Sequence, residues 1–489
     1  MSLKNMQSII KKYKRIIAWG AGRYFEQYHY LLNGQISYVV DCNINLHGRD
    51  KNGIRIYPPS KLEQERHKEE CLLVVFNAHF SEIVDDAKKI GDFDIVDIKA
   101  LELLYKRTDQ EEADAFKDFG SKSPVLVCAG MHALWDINGS WKFIDAQNKI
   151  LHSNNLDTLE VVPLPYYQKG DCGHIFIAIS RNGRFLGTFL LEEFVKSQIK
   201  VNGLVIHSLY YSHEILDVLL KSVEVEHNIL YYVHDYYCIC INRFLYVNET
   251  SCLDSTGELR CQTCIYRQQK ELISAFHRRL FTTYGIKLIV PSWDTEKRIK
   301  KVFNNNEVRV IPHISYQEKQ QQRLKYTQKI AYIGSACGIK GWNDYKTIVK
   351  KMKDKYKFYC LGRCGKNDYL EGVTYVDVNI KGENGCLNMI DSLKKYEIDI
   401  VYLGSVCPET FCYAYYEAYE AGCFVMTKET SGNTCDQVKK HGNGLVFKSV
   451  DDMVKWLDDV EEAEDMVLQM NKTITDVQPD ETFLEQLWG

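Results

Sequence analysis

Short apolar runs recur along the chain, each followed by a polar or amphipathic stretch. The first three are KRIIAWG from Lys14, SYVVD from Ser37 and CLLVVFNA from Cys71. A second set, PVLVCAG, HIFIAI, GLVIHSL, ILYYVHDYY and IKLIVPS, lies between positions 124 and 292. A third, KIAYIGS, YKFYCLG, VTYVDV, IDIVYLG and GCFVMT, lies between 329 and 427. Runs this short and apolar throughout predict strands buried on both faces, and the helical patterns between them predict parallel sheets of an α/β fold. Two polar stretches interrupt the rhythm, KRTDQEEADAFKDFGSKS at 106–123 and SYQEKQQQRLKYTQK at 315–329. Read as linkers, they divide the 489 residues into segments 1–115, 120–314 and 325–489, about as many domains as the length suggests. From Val450 onward the pattern is helical, with Met453, Val454, Trp456 and Leu457 on one face, as in helices that pack back across a neighbouring domain.

Composition narrows the function. With 45% hydrophobic and 26% charged residues the chain is an ordinary globular one, which excludes a disordered or fibrous protein. A net charge of −4 supplies no global basic field, so nucleic acid is not an expected partner. The apolar stretch 16–22 is too short for a secretory signal. The longest apolar window, 229–247, is broken by His234, Asp235, Asn242 and Arg243, which a lipid-spanning helix tolerates badly. Seventeen cysteines without an export signal point to a reducing, cytoplasmic compartment. The basic cluster EKRIKKVF, centred on 297–301, is read first as a solvated helix face; its alternative is peripheral contact with an anionic membrane, at the inner face, that presents a lipid-linked acceptor.

The segment IDIVYLGSVCPETFCYAYYEAYEAGCFVMT carries the sharpest chemical signal. The pattern predicts a strand over 398–403, a loop holding Cys407, Pro408 and Glu409, and a helix over 410–421. That helix would carry Glu417 about two turns in. A helix start offers unpaired N–H groups to phosphate, and flanking carboxylates can accept hydrogen bonds from hydroxyls. A nucleotide sugar has both kinds of group. Acids solvated at a helix start are the plain alternative.

PETFCYAYYEAYEAG resembles the E-x7-E segment of retaining GT-B glycosyltransferases, specifically family 4. The resemblance implies two Rossmann-like domains facing a cleft, here preceded by an additional Rossmann-like α/β domain. It further implies that Glu409, with Thr410 and Phe411 beside it, meets the transferred sugar, and that Glu417 holds the ribose hydroxyls. The strand-and-loop KIAYIGSACGIKGWNDY is similar to the family's G-R-x-x-x-x-K-G pattern, with Gly334 and Lys340 in place. Ser335 and Ala336 stand where the family commonly has arginine; Arg363, in LGRCGK, is the candidate substitute. A lysine here would offset the charge of a departing diphosphate.

His234, at the end of ILYYVHD, lies where open α/β sheets bind ligands. By resemblance it belongs to the acceptor side; the alternative is a structural histidine bonded to Asp235. The spacing of Cys240, Cys252, Cys261 and Cys264 suits either a structural zinc staple or free buried thiols. In the first segment, Gly20, Gly22 and Asp41 echo a dinucleotide-binding layout with Phe25 in place of the third glycine. This run resembles the Rossmann-like modules of polysaccharide-biosynthesis proteins, where it would bind a nucleotide or dock against the transferase. The expected activity is transfer of a hexosyl group from a UDP- or GDP-sugar to a saccharide or lipid-linked acceptor, with retention and no required metal. A sugar-nucleotide epimerase and a non-catalytic nucleotide-sugar-binding module are the rival readings.

Overall fold

Where a strand is buried on both faces, its sequence loses the alternation of a half-exposed one, and the apolar runs become the centres of mostly parallel sheets. The structure, a computed structural model, describes residues 10–32, 34–77, 80–105, 123–130, 139–164, 166–167, 176–207, 213–247, 250–252, 260–262, 264–364, 369–378 and 387–488. Apart from Ser123, the first predicted linker lies outside the described residues. The chain divides into two compact units, one of Met1–Ile137, Ile144–Ile229 and Leu487–Gly489, the other of Asn138–Phe143 and Leu230–Gln486.

In the first unit, Ile54–Tyr57, Ile36–Val40, Arg15–Trp19, Cys71–Val75 and Asp94–Asp97 pair in that order, all parallel. The short strands Asp50–Lys51 and Tyr166–Tyr167 close the two edges antiparallel. A further group of strands runs Arg184–Leu190, Phe176–Arg181, Thr158–Leu164, Val125–Cys128 and Gly203–His207. Here the expectation of a parallel strand at HIFIAI fails: Phe176–Arg181 is antiparallel to both neighbours. The cause is local. Asn182 and Gly183 have φ of 52° and 74°, the pair of left-handed residues that a tight hairpin turn demands.

The second unit opens with three parallel strands, Ile229–Tyr232, Lys287–Val290 and Val308–Val310. Its main sheet has six strands, ordered Val373–Val376, Lys357–Arg363, Lys329–Ser335, Ile400–Leu403, Phe424–Lys428 and Gly444–Phe447. All are parallel. Counted along the chain, the order is third, second, first, fourth, fifth, sixth, so the winding reverses between Lys329–Ser335 and Ile400–Leu403. Ile330 and Tyr332 face one apolar cluster with Trp342, Tyr345 and Met453, while Ala331 and Ile333 face another with Tyr415, Tyr419 and Val425.

The first half of the second predicted linker is structured. Ile314–Gln320 is a strand, paired antiparallel with Lys472–Pro479, so the C-terminal stretch expected to be helical also contains a strand between the helices Val460–Gln469 and Phe483–Trp488. The ribbon is mostly exposed along Ser315 to Gln320, which explains its polar sequence. The remainder is anchored by charge: Arg323 donates to Asp399 at 2.7 Å and to the carbonyls of Ile398 and Gly422 at 2.9 Å. Asp399 is fully buried and also accepts from the Thr327 and Lys329 amides at 2.9 Å.

Removing one member of a buried, hydrogen-bonded ion pair strands the other. Asp399→Ala is expected to lower the unfolding free energy of this unit by about 3 kcal/mol or more, measured by chemical denaturation, whereas Glu397→Ala, an exposed neighbour, should change it little.

Candidate active site

In open α/β sheets, ligands bind beyond the carboxyl ends of the strands where the winding reverses. Three loops converge there. The first leaves Lys329–Ser335, forms a single turn over Gly338–Lys340 and enters the helix Trp342–Met352. The second leaves Ile400–Leu403 and carries Ser405 to Cys412. The third, Glu429 to Gly432, precedes the helix Asn433–His441.

The first two loops are laced together by backbone. Val406 N donates to Ile339 O at 3.0 Å, and Ser405 Oγ to the same carbonyl at 3.1 Å. Gly341, at φ 82°, lies so close to Gly404 that a Cβ would stand 2.2 Å from its carbonyl oxygen. The third loop is tied in by Thr430 and Ser431, whose hydroxyls donate to Ser405 O at 3.2 and 3.0 Å. Glu409 forms a parallel bridge with Gly432, and a Cβ on Gly432, at φ 60°, would come 2.7 Å from Glu409 N.

This lattice sets the acid beside the base. Lys340 Nζ and Glu409 Oε1 are 2.5 Å apart, with the lysine side chain 46% exposed and the glutamate 10%. Burial pulls the Lys340 pKa down, but the adjacent Glu409 carboxylate outweighs it and leaves the pKa above its ordinary value. The Cys407 and Cys412 thiols stay protonated: burial pushes Cys407 up to about 11 and Cys412 to about 12.

The helix expected over 410–421 begins later, at Tyr413, and runs to Glu420. Two attachments hold its predicted first turn extended: the Glu409–Gly432 bridge, and Thr410 Oγ1 donating to the His234 carbonyl at 2.7 Å. Glu417 therefore lies about one turn into the helix instead of two. Its Oε1 is 3.4 Å from Lys142 Nζ, whose ammonium also lies 4.7 Å from the centre of the Tyr413 ring. Phe411 is 9% exposed and stacks on Tyr416 at 5.0 Å, so it serves the core beneath the loop. Gly334 closes its strand at φ 100°. Arg363 is the register partner of Ser335, exposed at the strand end, where its carbonyl accepts from Ala336 N at 2.8 Å.

His234 joins an aromatic cluster. Its ring lies 5.5 Å from those of Phe143 and His313, while His313 stacks on Phe143 at 4.1 Å and approaches Phe411 at 4.5 Å. Burial drives the His234 pKa down to about 3 and that of His313 well below its ordinary value, so both imidazoles are neutral at neutral pH. Asp235 turns to its own loop, accepting from Tyr237 N at 3.0 Å and facing Arg243 at 3.8 Å. Two residues escaped the sequence reading. His313 follows an apolar run, VRVIP, and the logic that singled out His234 applies equally to it. Lys142 is separated from Glu417 by 275 positions, and no local pattern marks it.

The other predicted sites differ in outcome. Burial raises the pKa of Cys240 to about 11 and of Cys252 to about 12. Among the described residues, however, no group of three or more His, Cys, Asp or Glu side chains is arranged to hold a metal ion. All four are free cysteines, Cys240 buried and Cys252, Cys261 and Cys264 half-buried. In the first unit, Gly20 donates to Val40 O at 2.8 Å and Gly22 precedes the short helix Arg23–Tyr28. Both Asp41 oxygens are engaged by backbone, one by Ala21 N and the other by Asn43 N, each at 2.7 Å.

A histidine whose folded pKa is depressed leaves the folded state fully stable above its ordinary value of 6.5 and costs stability as pH falls from there toward about 3. Thermal unfolding of the protein should therefore shift downward between pH 7 and pH 5, and His234→Gln should make that shift shallower.

No protein-family model matches the chain, and no curated protein sequence matches it. Among solved structures it is similar to the sucrose-phosphate synthase of Thermosynechococcus elongatus, at 13% identity and a TM-score of 0.47, over 70% of this chain and 92% of that one. HepE of Anabaena in complex with UDP is similar at 11% identity and a TM-score of 0.42, over 70% of this chain and 92% of that one. TarM is similar at 10% identity and a TM-score of 0.40, over 94% of this chain and 93% of that one.

Proposed function

We propose that the chain is a glycosyltransferase of the GT-B type, moving a hexosyl group from a UDP- or GDP-sugar to a saccharide or lipid-linked acceptor with retention of anomeric configuration. The observation that carries the reading is the Lys340–Glu409 pair, 2.5 Å apart, at the point where the strand order reverses. A transferase has to stabilise a departing diphosphate while holding sugar hydroxyls in place. A cation and a carboxylate side by side on rigid loops suit those two tasks. The lysine is 46% exposed and the glutamate 10%, so a ligand that draws Lys340 away has to give Glu409 other hydrogen-bond donors, which sugar hydroxyls supply.

In this reading Glu409 accepts from hydroxyls of the transferred sugar, and Lys340 neutralises the phosphate next to the breaking bond. Glu417 accepts from the ribose hydroxyls. The acceptor oxygen forms a bond to the anomeric carbon as the bond from that carbon to the diphosphate breaks, and the acceptor's proton leaves with the diphosphate oxygen. His234, neutral, orients an acceptor or sugar hydroxyl by hydrogen bonding. Residues 325–489 form the donor-side domain, 120–314 the acceptor-side domain and 1–115 an accessory module, acting in cytoplasmic synthesis of cell-surface polysaccharide.

The test is nucleotide release from a panel of UDP-, GDP- and ADP-sugars with and without saccharide acceptors. One donor should release its nucleoside diphosphate. Lys340→Ala and Glu409→Ala should each lower kcat by about a hundredfold or more in protein that keeps the far-UV circular dichroism of the parent. Absence of both turnover and donor-induced thermal stabilisation across the panel would overturn the reading.

A further inference from the structure

Both carboxylates of the E-x7-E segment are held by lysines, Glu409 by Lys340 and Glu417 by Lys142. The second pair is open to solvent, its side chains 44% and 25% exposed and its separation 3.4 Å. Such a pair is weak and readily exchanged. The Lys142 ammonium also lies 4.7 Å from the centre of the Tyr413 ring, and Tyr413 stands midway along the chain between the two glutamates. Under the donor-site reading on which this inference rests, sugar and ribose go to the two carboxylates, so the diphosphate between them passes this part of the site. Lys340 supplies one positive charge there. Ser335 and Ala336 are neutral, and Arg363, the register partner of Ser335, is exposed at the end of its strand.

We propose that Lys142 is the second cation of the donor site, neutralising Glu417 while the site is empty and turning to the diphosphate when ribose hydroxyls take that carboxylate. The exchange is electrostatically balanced. Hydroxyls replace the ammonium as donors to Glu417, and the ammonium exchanges a single carboxylate charge for the larger charge of the diphosphate. The four-carbon stem of lysine allows the movement without backbone change. Lys142 then distinguishes a charged nucleotide from its uncharged nucleoside.

Calorimetric titration of the full chain with UDP and GDP, and competition by uridine and guanosine, tests this. Lys142→Met should weaken the nucleoside diphosphate that binds by about tenfold, the scale of one lost charged hydrogen bond. The salt dependence of its binding should become shallower. The matching nucleoside should bind as before or more tightly, because Glu417 is freed. Lys142→Arg should recover most of the lost affinity. If Lys142→Met leaves diphosphate binding unchanged or tighter while Lys340→Ala weakens it, this proposal falls and the donor-site reading survives. If neither UDP nor GDP binds the parent protein, the donor-site reading falls and this proposal with it.

Discussion

The site depends on how closely the backbones of two strand-end loops can approach. Residues 338–341 and 404–406 share hydrogen bonds at Ile339 O, and the contact of Gly341 with Gly404 leaves no room for a side chain. Two adjacent parallel strands bring the loops near each other, but their strand ends alone do not set Lys340 against Glu409. That requires the glycine contact on one side and the Glu409–Gly432 bridge on the other. Tyr402 adds a brace from beneath, its hydroxyl reaching Asp344 at 3.2 Å while Lys428 holds the same carboxylate at 2.8 Å. Rigid loops matter because a group that stabilises developing charge has to be in position before that charge appears.

Electrostatically, the empty site neutralises itself. Each carboxylate has an ammonium partner, the neighbouring cysteines remain thiols, and the nearby imidazoles are neutral. Such an arrangement keeps two acids close to a helix start without leaving an unpaired buried charge, which would be costly. It also leaves the lysines available, since both are substantially exposed. Phe143, His234, His313 and Phe411 form one aromatic cluster with ring centres 4.1 to 5.5 Å apart. Within it, His313 is 5% exposed and its Nδ1 has no hydrogen-bond partner among the described residues.

Much of this was legible because the main sheet is parallel and buried on both faces. KIAYIGS and IDIVYLG read directly as strands, with Lys340 and Glu409 just past their ends. Other features depended on partners distant in sequence. The 315–320 strand is polar because it belongs to an exposed ribbon, and its partner starts at Lys472. The start of the helix at Tyr413 was misplaced because Thr410 spends its hydroxyl on His234, 176 positions away. The Phe176–Arg181 strand pairs antiparallel with Arg184–Leu190 through its Asn-Gly turn, a local signal that was present in the sequence and outweighed by the surrounding rhythm. Lys142 carried no signal at all, because only the tertiary structure brings it to Glu417.

Amide hydrogen exchange with and without the donor nucleotide tests the donor site most directly. Occupied loops exchange more slowly because their opening has to release the ligand. With UDP or GDP present, protection should rise in the segments 334–341 and 405–417 and stay unchanged in the loop at 19–23. Protection confined to 19–23, or rising nowhere in the chain at saturating nucleotide, would contradict a donor site at the reversal of the six-stranded sheet.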